Sequence, residues 1–439
     1  SIHGQKPEPQ PDRHDAEPTS HFWGSMSPFF PVPSEIDPTT PSRCKITFVQ
    51  ILERHGARNP NAGNTRTYKA LIQRIQDVVT HYSKGFEFIK TYKYNFVPGQ
   101  LTPFGQRECY DSGMSFYRRY EALAAKNDPF IRAAGQDRVI ESGEKWAQGF
   151  YHSKKGNGHE PMNESQIKKL IHIIPQTEGF NNTLSKGGCP AFDKDYATLG
   201  KQAQAPWLKK FTQPIATRLN KMLPGAHLTD NDIVHLMQLC PVNTVVDGIH
   251  SQFCNLFTLE EWKDYDYYDT LARYYSFHAG NPLGPTQGVG YTNELIARLT
   301  RQPVVDHTST NSTLTGDPNE FPLDRNLYAD FSHDSNMVSV YGALGLYNEL
   351  HSLSKTRRMS TAETGGFTAS WMVPFAGRMY VEKMKCDGTD EEMVRVLVND
   401  RVVPLSGCGA DKLGRCKLGR FVESLGFARR GGLWHECFD

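Results

Sequence analysis

Runs of apolar residues alternate with segments of helical periodicity along most of the chain. Residues 45–52 (KITFVQIL) are almost continuously apolar and rich in β-branched side chains, which is typical of a strand buried on both faces. Apolar residues at helical spacing follow at 67–82 and at 104–125. Residues 130–135 then predict a strand, and 137–151 predict a helix. This alternation predicts an α/β fold, with a mixed central sheet flanked by helices.

The pattern changes in the middle of the chain and later changes back. Residues 180–289 contain helical segments and no run that predicts a strand, so we expect a smaller, mainly helical domain there. Strand patterns return at 327–332 and 378–386. A further pair of short strands predicts a hairpin that turns near Asn399-Asp400.

The beginning of the chain has a composition of its own. Residues 1–42 hold nine prolines and few periodic apolar residues, so we expect an extended arm on the surface, anchored by aromatic residues such as Phe22 and Trp23. The predicted organisation is an N-terminal arm at 1–42, an α/β domain made of 43–179 and 290–439, and an inserted helical domain at 180–289.

Composition narrows the class of protein. The 439 residues include 49 Lys+Arg and 48 Asp+Glu, a net charge of +1, with 38% hydrophobic and 22% charged residues. These values describe a globular protein and exclude a basic surface for nucleic acid or anionic membranes. An anionic ligand must therefore be bound by a local cluster. No run of 18 apolar residues is present, and we expect neither a nucleic-acid nor a membrane partner.

The segment ERHGARNP follows the first predicted strand directly. Ligands of open α/β sheets bind at the carboxyl ends of strands, which is where this segment lies. Arg54 and Arg58 flank His55, and guanidinium groups match the geometry of phosphate oxygens. Gly56 allows the backbone to come close to a ligand. The alternative is a solvated charged loop with a structural histidine, which is the better interpretation of an arbitrary Arg-His pair.

Two further candidates occupy comparable positions. His333-Asp334 follows the buried strand LYADFS and precedes a helix, so Asp334 either caps that helix or donates a proton to a leaving oxygen. Arg132 and Arg138 lie at a strand-to-helix junction, and either could complete a guanidinium cluster. The physical argument alone leaves both choices open. The chain contains no GxxxxGK[ST], HExxH, GxSxG or CxxC motif.

With RHGARNP at 54–60 and SHD at 332–334, the sequence resembles the histidine acid phosphatases, and within them the secreted fungal phytases. Stretches such as SHFWG, GNPLGPTQGVGY and GGLWHECF extend the resemblance over nearly the whole chain from about His21. It implies a histidine phosphatase fold with a smaller helical domain. The implied reaction is hydrolysis of phosphomonoesters of phytate, inositol hexakisphosphate, at acid pH.

The resemblance also implies a role for each candidate. His55 would be the nucleophile that forms a phosphohistidine, and Asp334 the proton donor to the leaving alcohol. It selects Arg138 over Arg132 and requires neither a metal nor another cofactor, because arginines supply the positive charge. The residues implied to hold the phosphoryl oxygens are Arg54, Arg58, Arg138 and His333.

The nine cysteines and three glycosylation sequons favour a secreted, extracellular protein. The sequons begin at Asn163, Asn181 and Asn311. The resemblance implies a free Cys109 and the disulfides Cys44–Cys386, Cys189–Cys437, Cys240–Cys254 and Cys408–Cys416.

The substrate range is the point at which the chain departs from the family. Phytases of this type often place lysines around the pocket, whereas this chain has Asn64 and Thr67, with Arg66 between them, and Ala272-Arg273 at matching positions. The alternative is therefore a broad-specificity secreted acid phosphatase with little preference for phytate. An inactive phosphatase-like binding protein is disfavoured, because all six expected site residues are present. The expected partner is a small anionic phosphate ester, and the expected assembly is a monomer.

Overall fold

The structure, a computed structural model, describes residues 18–156 and 159–439. Its strands are β1 (Cys44–Arg54), β2 (Phe130–Gly135), β3 (Ile171–Pro175), β4 (Leu327–Ser332), β5 (Arg378–Cys386), β6 (Met393–Val398), β7 (Arg401–Val402) and β8 (Cys416–Lys417). They form one sheet in the order β3-β2-β4-β1-β5-β6-β7, with β8 paired to β6. The first four strands of this order are parallel, and the pairs from β1–β5 onward are antiparallel. The sheet is therefore mixed, as predicted.

Helices are distributed along the rest of the described chain. They are α1 (Ala62–Val78), α2 (Pro103–Arg119), α3 (Glu121–Ala124), α4 (Asp137–Lys155), α5 (Glu164–Lys168), α6 (Pro190–Lys194), α7 (Leu199–Met222), α8 (Asp230–Thr244), α9 (Leu259–Phe277), α10 (Val289–Thr300), α11 (Ser312–Thr315), α12 (Asp334–Ala343), α13 (Ala369–Met372), α14 (Leu418–Ser424) and α15 (Gly426–Arg429). None of the helices in the described ranges combines the length and the apolar character needed to cross a membrane.

Local chemistry explains where the predicted elements begin and turn. The first helix starts at Ala62, five residues before the predicted start, because the Asn61 side chain accepts a hydrogen bond from the Asn64 amide and caps the helix. The predicted hairpin is confirmed. Asn399 (φ 50°) and Asp400 (φ 67°) both lie in the left-handed region that a tight two-residue turn requires.

The two faces of the sheet carry different chemistry. On one face α4 packs against β4, where the Trp146 and Phe331 rings lie 5.9 Å apart. Asp330, the neighbour of Phe331, points to the opposite face. There it accepts hydrogen bonds from Arg298 of α10 (2.7 Å) and from Arg132 of β2 (2.7 Å). Alternation along the strand thus separates an aromatic core from a buried ionic network.

Arg132 belongs to that network. Besides Asp330 it contacts both carboxylate oxygens of Glu294, each at 3.2 Å, and its side chain is only 3% exposed. The Arg132 guanidinium is therefore already paired with carboxylates and is not available to bind a ligand. The choice that the physical argument left open falls on Arg138.

The described elements between β3 and β4 are all helical, and the N-terminal arm is more deeply placed than expected. Trp23 and Ser27 have no exposed surface, and the Trp23 ring lies 6.1 Å from that of Trp262 in α9. Two short 3-10 helices, Thr19–Phe22 and Gly24–Met26, replace a fully extended course. The segment around Trp23 is thus built into the core beside α9, whereas residues 33–42 are exposed or partly exposed.

Candidate active site

Four parallel strands end side by side at one edge of the sheet. Arg54 ends β1 and Ser332 ends β4, and the two residues are register partners. Because the carboxyl ends of parallel strands open toward the same edge, the segments that follow them converge there. The candidate residues placed by the four strand ends are His55, His333, Arg138 and Gln176.

His55 is buried, with 1% of its surface exposed. Its Nδ1 lies 2.8 Å from the Gly56 carbonyl oxygen. A carbonyl can only accept, so Nδ1 carries the proton and Nε2 keeps a free electron pair. Burial, reinforced by the charges of Arg54, Arg58 and Arg138, holds the pKa of His55 well below its usual range. The imidazole is therefore neutral and available as a nucleophile at acid pH.

Gly56 allows close packing of the backbone. A Cβ at this position would lie 2.3 Å from the Gly105 carbonyl oxygen and 2.9 Å from the Cys109 sulfur. The backbone at Gly56 thus approaches helix α2 too closely for a side chain to fit. The Gly56 amide also donates to the Ser142 hydroxyl at 3.1 Å. Gly56 thereby seats the His55 loop against α2 and α4.

Arg54, Arg58 and Arg138 form a cluster of excess positive charge. The Nε atom of each is buried and has no hydrogen-bond partner among the described residues. Burial and mutual repulsion lower the pKa of Arg58 to about 10, and burial together with Arg54 lowers that of Arg138. Buried donors without acceptors are costly, so this arrangement favours binding of an oxyanion.

Arg54 is fixed in position by its surroundings. One terminal nitrogen donates to the carbonyl oxygens of Ser25, in the N-terminal arm, and of Val373 (2.9 Å). Its guanidinium lies 4.5 Å from the centre of the Phe375 ring, which also flanks His55 at 6.2 Å. These contacts leave the side chain little rotational freedom, so Arg54 is preorganised for a ligand.

Asp334 is the carboxylate of the cluster. Its Oδ2 lies 2.5 Å from Nη1 of Arg273 in α9 and 3.8 Å from Nη2 of Arg54. Burial opposes ionisation, but Arg54 and Arg273 prevail and hold the pKa of Asp334 well below its usual range. The N-cap position of α12 is occupied by His333, and Asp334 is the first helical residue. Its carboxylate is engaged by guanidinium groups at the mouth of the site, so the capping alternative loses its support.

His333 completes the cluster beside His55. The two rings are 5.9 Å apart in an edge-on arrangement. The Nε2–H of His333 donates to the Gln176 amide oxygen at 2.9 Å. Burial and the charge of Arg138 lower the pKa of His333 to about 4. His333 is thus a hydrogen-bonding group that gains a positive charge as the pH falls to about 4.

Sequence reasoning did not find two of these contacts. Gln176 follows β3, and its position after a strand end was the available signal. Arg273 was considered only as a position near the substrate, and its ion pair with Asp334 spans 61 residues of sequence. The spacing of Asp269 and Arg273, four residues apart on one helix, predicts only their mutual ion pair, which is present at 3.2 Å.

The other predicted positions lie away from this cluster. The structure contains the four disulfides that the resemblance implies, and Cys109 is a buried free thiol. The sequon residues Asn163 and Asn181 are exposed, and Asn311 is partly exposed. Within the described ranges no three or more His, Cys, Asp or Glu side chains are grouped so as to hold a metal ion.

The arrangement combines three chemical capacities in one place. A neutral imidazole with a free Nε2 faces guanidinium groups that suit a tetrahedral oxyanion. A carboxyl group beside them can exchange a proton with an oxygen of the bound group. This combination suits transfer of a phosphoryl group to and from a histidine.

Comparison with known proteins agrees with this chemistry. Residues 45–399 match the family model of the histidine phosphatase superfamily, branch 2. Phytase A of Aspergillus fumigatus is 50% identical over 428 residues, a match that covers 96% of this chain and 91% of the relative. Phytase A of Penicillium oxalicum is 44% identical, with 95% and 91% covered.

Solved structures share the fold at low sequence identity. The phytase from D. castellii superimposes with a TM-score of 0.75 at 20% identity, covering 96% of this chain and 88% of the other. A multiple inositol polyphosphate phosphatase of Bifidobacterium longum, in complex with inositol hexasulfate, gives a TM-score of 0.65 at 16% identity, with 93% and 98% covered. At these identities the likeness establishes the fold alone.

Proposed function

The chain belongs to branch 2 of the histidine phosphatase superfamily, and from this premise we propose that it is a phytase that hydrolyses phosphomonoesters of phytate at acid pH. The names of the relatives support the substrate. The observation that carries the proposal is the buried neutral His55, whose free Nε2 lies among three arginines with unpartnered Nε–H groups. Such a site binds a phosphoryl group and supplies its nucleophile without a metal.

In the first step Nε2 of His55 attacks phosphorus, and the bond from phosphorus to the ester oxygen breaks. The proton of the Asp334 carboxyl group passes to the leaving oxygen, which departs as an alcohol. Arg54, Arg58 and Arg138 bind the nonbridging oxygens and stabilise the charge that spreads over them. His333 joins them when both of its ring nitrogens carry a proton, a state that the bound anion favours. The Nδ1–H bond to the Gly56 carbonyl keeps the ring oriented during the attack.

In the second step water attacks the phosphohistidine, and the bond from nitrogen to phosphorus breaks. The Asp334 carboxylate, left by the first step, accepts the proton of the water. Inorganic phosphate is released, while His55 and Asp334 return to their initial states. Asp334 thus acts as an acid in the first step and as a base in the second.

The acid optimum follows from the two pKa directions. The lowered pKa of His55 keeps its Nε2 unprotonated in acid. The lowered pKa of Asp334 means that the substrate-free enzyme carries the required proton only as the pH falls. A bound phosphate raises the pKa of Asp334, because it neutralises the surrounding arginines. Activity is therefore highest in acid and decreases as Asp334 loses its proton.

The same proposal includes secretion. Four disulfides fit an oxidising, extracellular compartment, because such bonds are rare where glutathione keeps thiols reduced. Glycosylation at the exposed sequons remains a prediction. The division of the chain into an arm, an α/β domain and a helical domain also remains a prediction.

The test is phosphate release from phytate at acid pH by the purified protein, with and without EDTA, and by the His55→Ala variant. We expect release that EDTA leaves intact and that His55→Ala abolishes. Activity that survives in His55→Ala, or that EDTA removes, would overturn the mechanism.

A broad-specificity acid phosphatase is the second candidate. It is favoured by Asn64 and Thr67, which are exposed on α1 and carry no charge where related enzymes often place lysines. The ratio of kcat/KM for phytate to that for an aryl phosphate separates the two candidates. A ratio well above one supports the phytase, and a ratio near or below one supports the broad enzyme.

A further inference from the structure

A lysine that sequence analysis did not single out lies beside the general acid. Lys186 is on the loop between β3 and α6, which is fixed at both ends. The Leu184 carbonyl oxygen accepts a hydrogen bond from the Ser332 hydroxyl at 2.5 Å, and Cys189 is joined to Cys437. The loop is therefore attached to the strand end that carries Asp334.

The charge of Lys186 is not neutralised by a carboxylate. Its ammonium lies 4.3 Å from the centre of the Phe277 ring and 5.5 Å from that of Phe192. The charges of Asp334 and Asp193 act on it, but neither carboxylate forms an ion pair with it in the described part of the chain. The aromatic rings hold the side chain in place and leave the ammonium donors available.

Lys186 lies on the leaving-group side of the site. Local burial lowers its pKa, Asp334 and Asp193 act in the opposite direction, and Arg273 lowers it. The Phe277 ring that contacts Lys186 at 4.3 Å also lies 5.9 Å from the Arg273 guanidinium, the ion-pair partner of Asp334. Asp334 marks the position of the leaving oxygen, so Lys186 lies beyond the scissile bond, next to the alcohol that departs.

Space for a large leaving group is present there. Lys186 and Gln176, the hydrogen-bond partner of His333, line one cleft of about 700 Å³. An inositol ring whose scissile phosphate is bound by the arginines would direct its other phosphates into this cleft. An aryl phosphate would place only an uncharged ring there.

We propose that Lys186 is a specificity-determining residue that binds a second phosphate carried by the leaving alcohol. This inference rests on the proposed phosphatase function and deepens it. The lysine selects polyphosphorylated alcohols over simple monoesters, and it supplies from a different loop the charge that Asn64, Thr67 and Ala272 do not provide.

The test compares Lys186→Met with the wild-type protein on phytate and on p-nitrophenyl phosphate. We expect kcat/KM for phytate, relative to that for the aryl phosphate, to fall about tenfold, as for the loss of one charge-assisted contact that is partly screened by water. The loss appears mainly in KM, since the contact is made equally in the ground state and the transition state. Lys186→Arg restores the ratio.

Lys194→Met is the matched control, because Lys194 lines the same cleft but lies on α6. We expect it to leave the substrate ratio near the wild-type value. The inference is overturned if Lys186→Met leaves the ratio unchanged, lowers both substrates equally, or has the same effect as Lys194→Met. If the wild-type protein hydrolyses neither substrate, the proposed function fails instead, so the two failures are distinguishable.

Discussion

Replacing Arg273 by glutamine tests how the protein controls its proton donor. Arg273 contacts Asp334 at 2.5 Å and stabilises the ionised carboxylate. A hydrogen bond between charged groups contributes about 1.5–3 kcal/mol, and about 1.4 kcal/mol corresponds to one pH unit. Removing the charge lets Asp334 keep its proton to higher pH. The alkaline limb of log kcat/KM should therefore move upward by about one to two pH units.

The assay is kcat/KM for one alkyl phosphate, whose leaving oxygen needs the Asp334 proton, across the acid-to-neutral range, so that titration of the substrate is common to all variants. Arg273→Lys keeps the charge and should leave the limb close to its wild-type position. Arg358→Gln removes an arginine that pairs with Glu260 and Asp264. These two carboxylates lie on the same helix as Arg273, and the variant should leave the alkaline limb in place. The reasoning is refuted if the limb stays fixed in Arg273→Gln, or if the lysine variant moves it equally.

Three further changes give independent predictions. Asp334→Asn should lower kcat for phytate about 100-fold or more, with a much smaller loss for an aryl phosphate whose leaving group needs no proton; equal losses would contradict the acid role. Burial raises the pKa of Glu108 to about 8, so its contribution to stability is complete below about 4.5 and is lost as the pH rises to about 8. Urea unfolding should show that Glu108→Gln loses less stability than the wild type across that pH range, by up to about 1.4 kcal/mol per pH unit. Parallel plots of stability against pH for the two proteins would contradict this role of Glu108. Gly56→Ala should destabilise the fold by about 1–3 kcal/mol and lower kcat, and an unchanged Tm would contradict the proposed contact with α2.

The positions of the strands were predictable because a strand depends on the local pattern of residues along the sequence. The limits of β2, β4 and β5 agree with the predicted strands, although these strands also bury charged residues such as Arg132, Asp330 and Glu382. The start of α1 was not predicted, because a cap at Asn61 extended the helix beyond its apolar stripe. Local signals near helix ends are weaker than the periodicity within them.

The site was only partly predictable for a related physical reason. His55 and Asp334 lie where strands end, and strand ends can be read from sequence. The residues that position this site lie far away in the sequence. Ser25 contacts Arg54, and Arg273 contacts Asp334, through tertiary packing of the arm and of α9 around the sheet edge. Sequence spacing contains no information on such approaches.

The central claim is that His55 carries the phosphoryl group between substrate and water. The most direct measurement mixes the protein with excess ³²P-labelled aryl phosphate at acid pH, stops the reaction in alkali and locates the label by mass spectrometry of peptides. The account predicts a phosphohistidine at His55 that forms faster than phosphate is released and that is missing from His55→Ala. Label on another residue, or turnover in which His55 is never labelled, would contradict it.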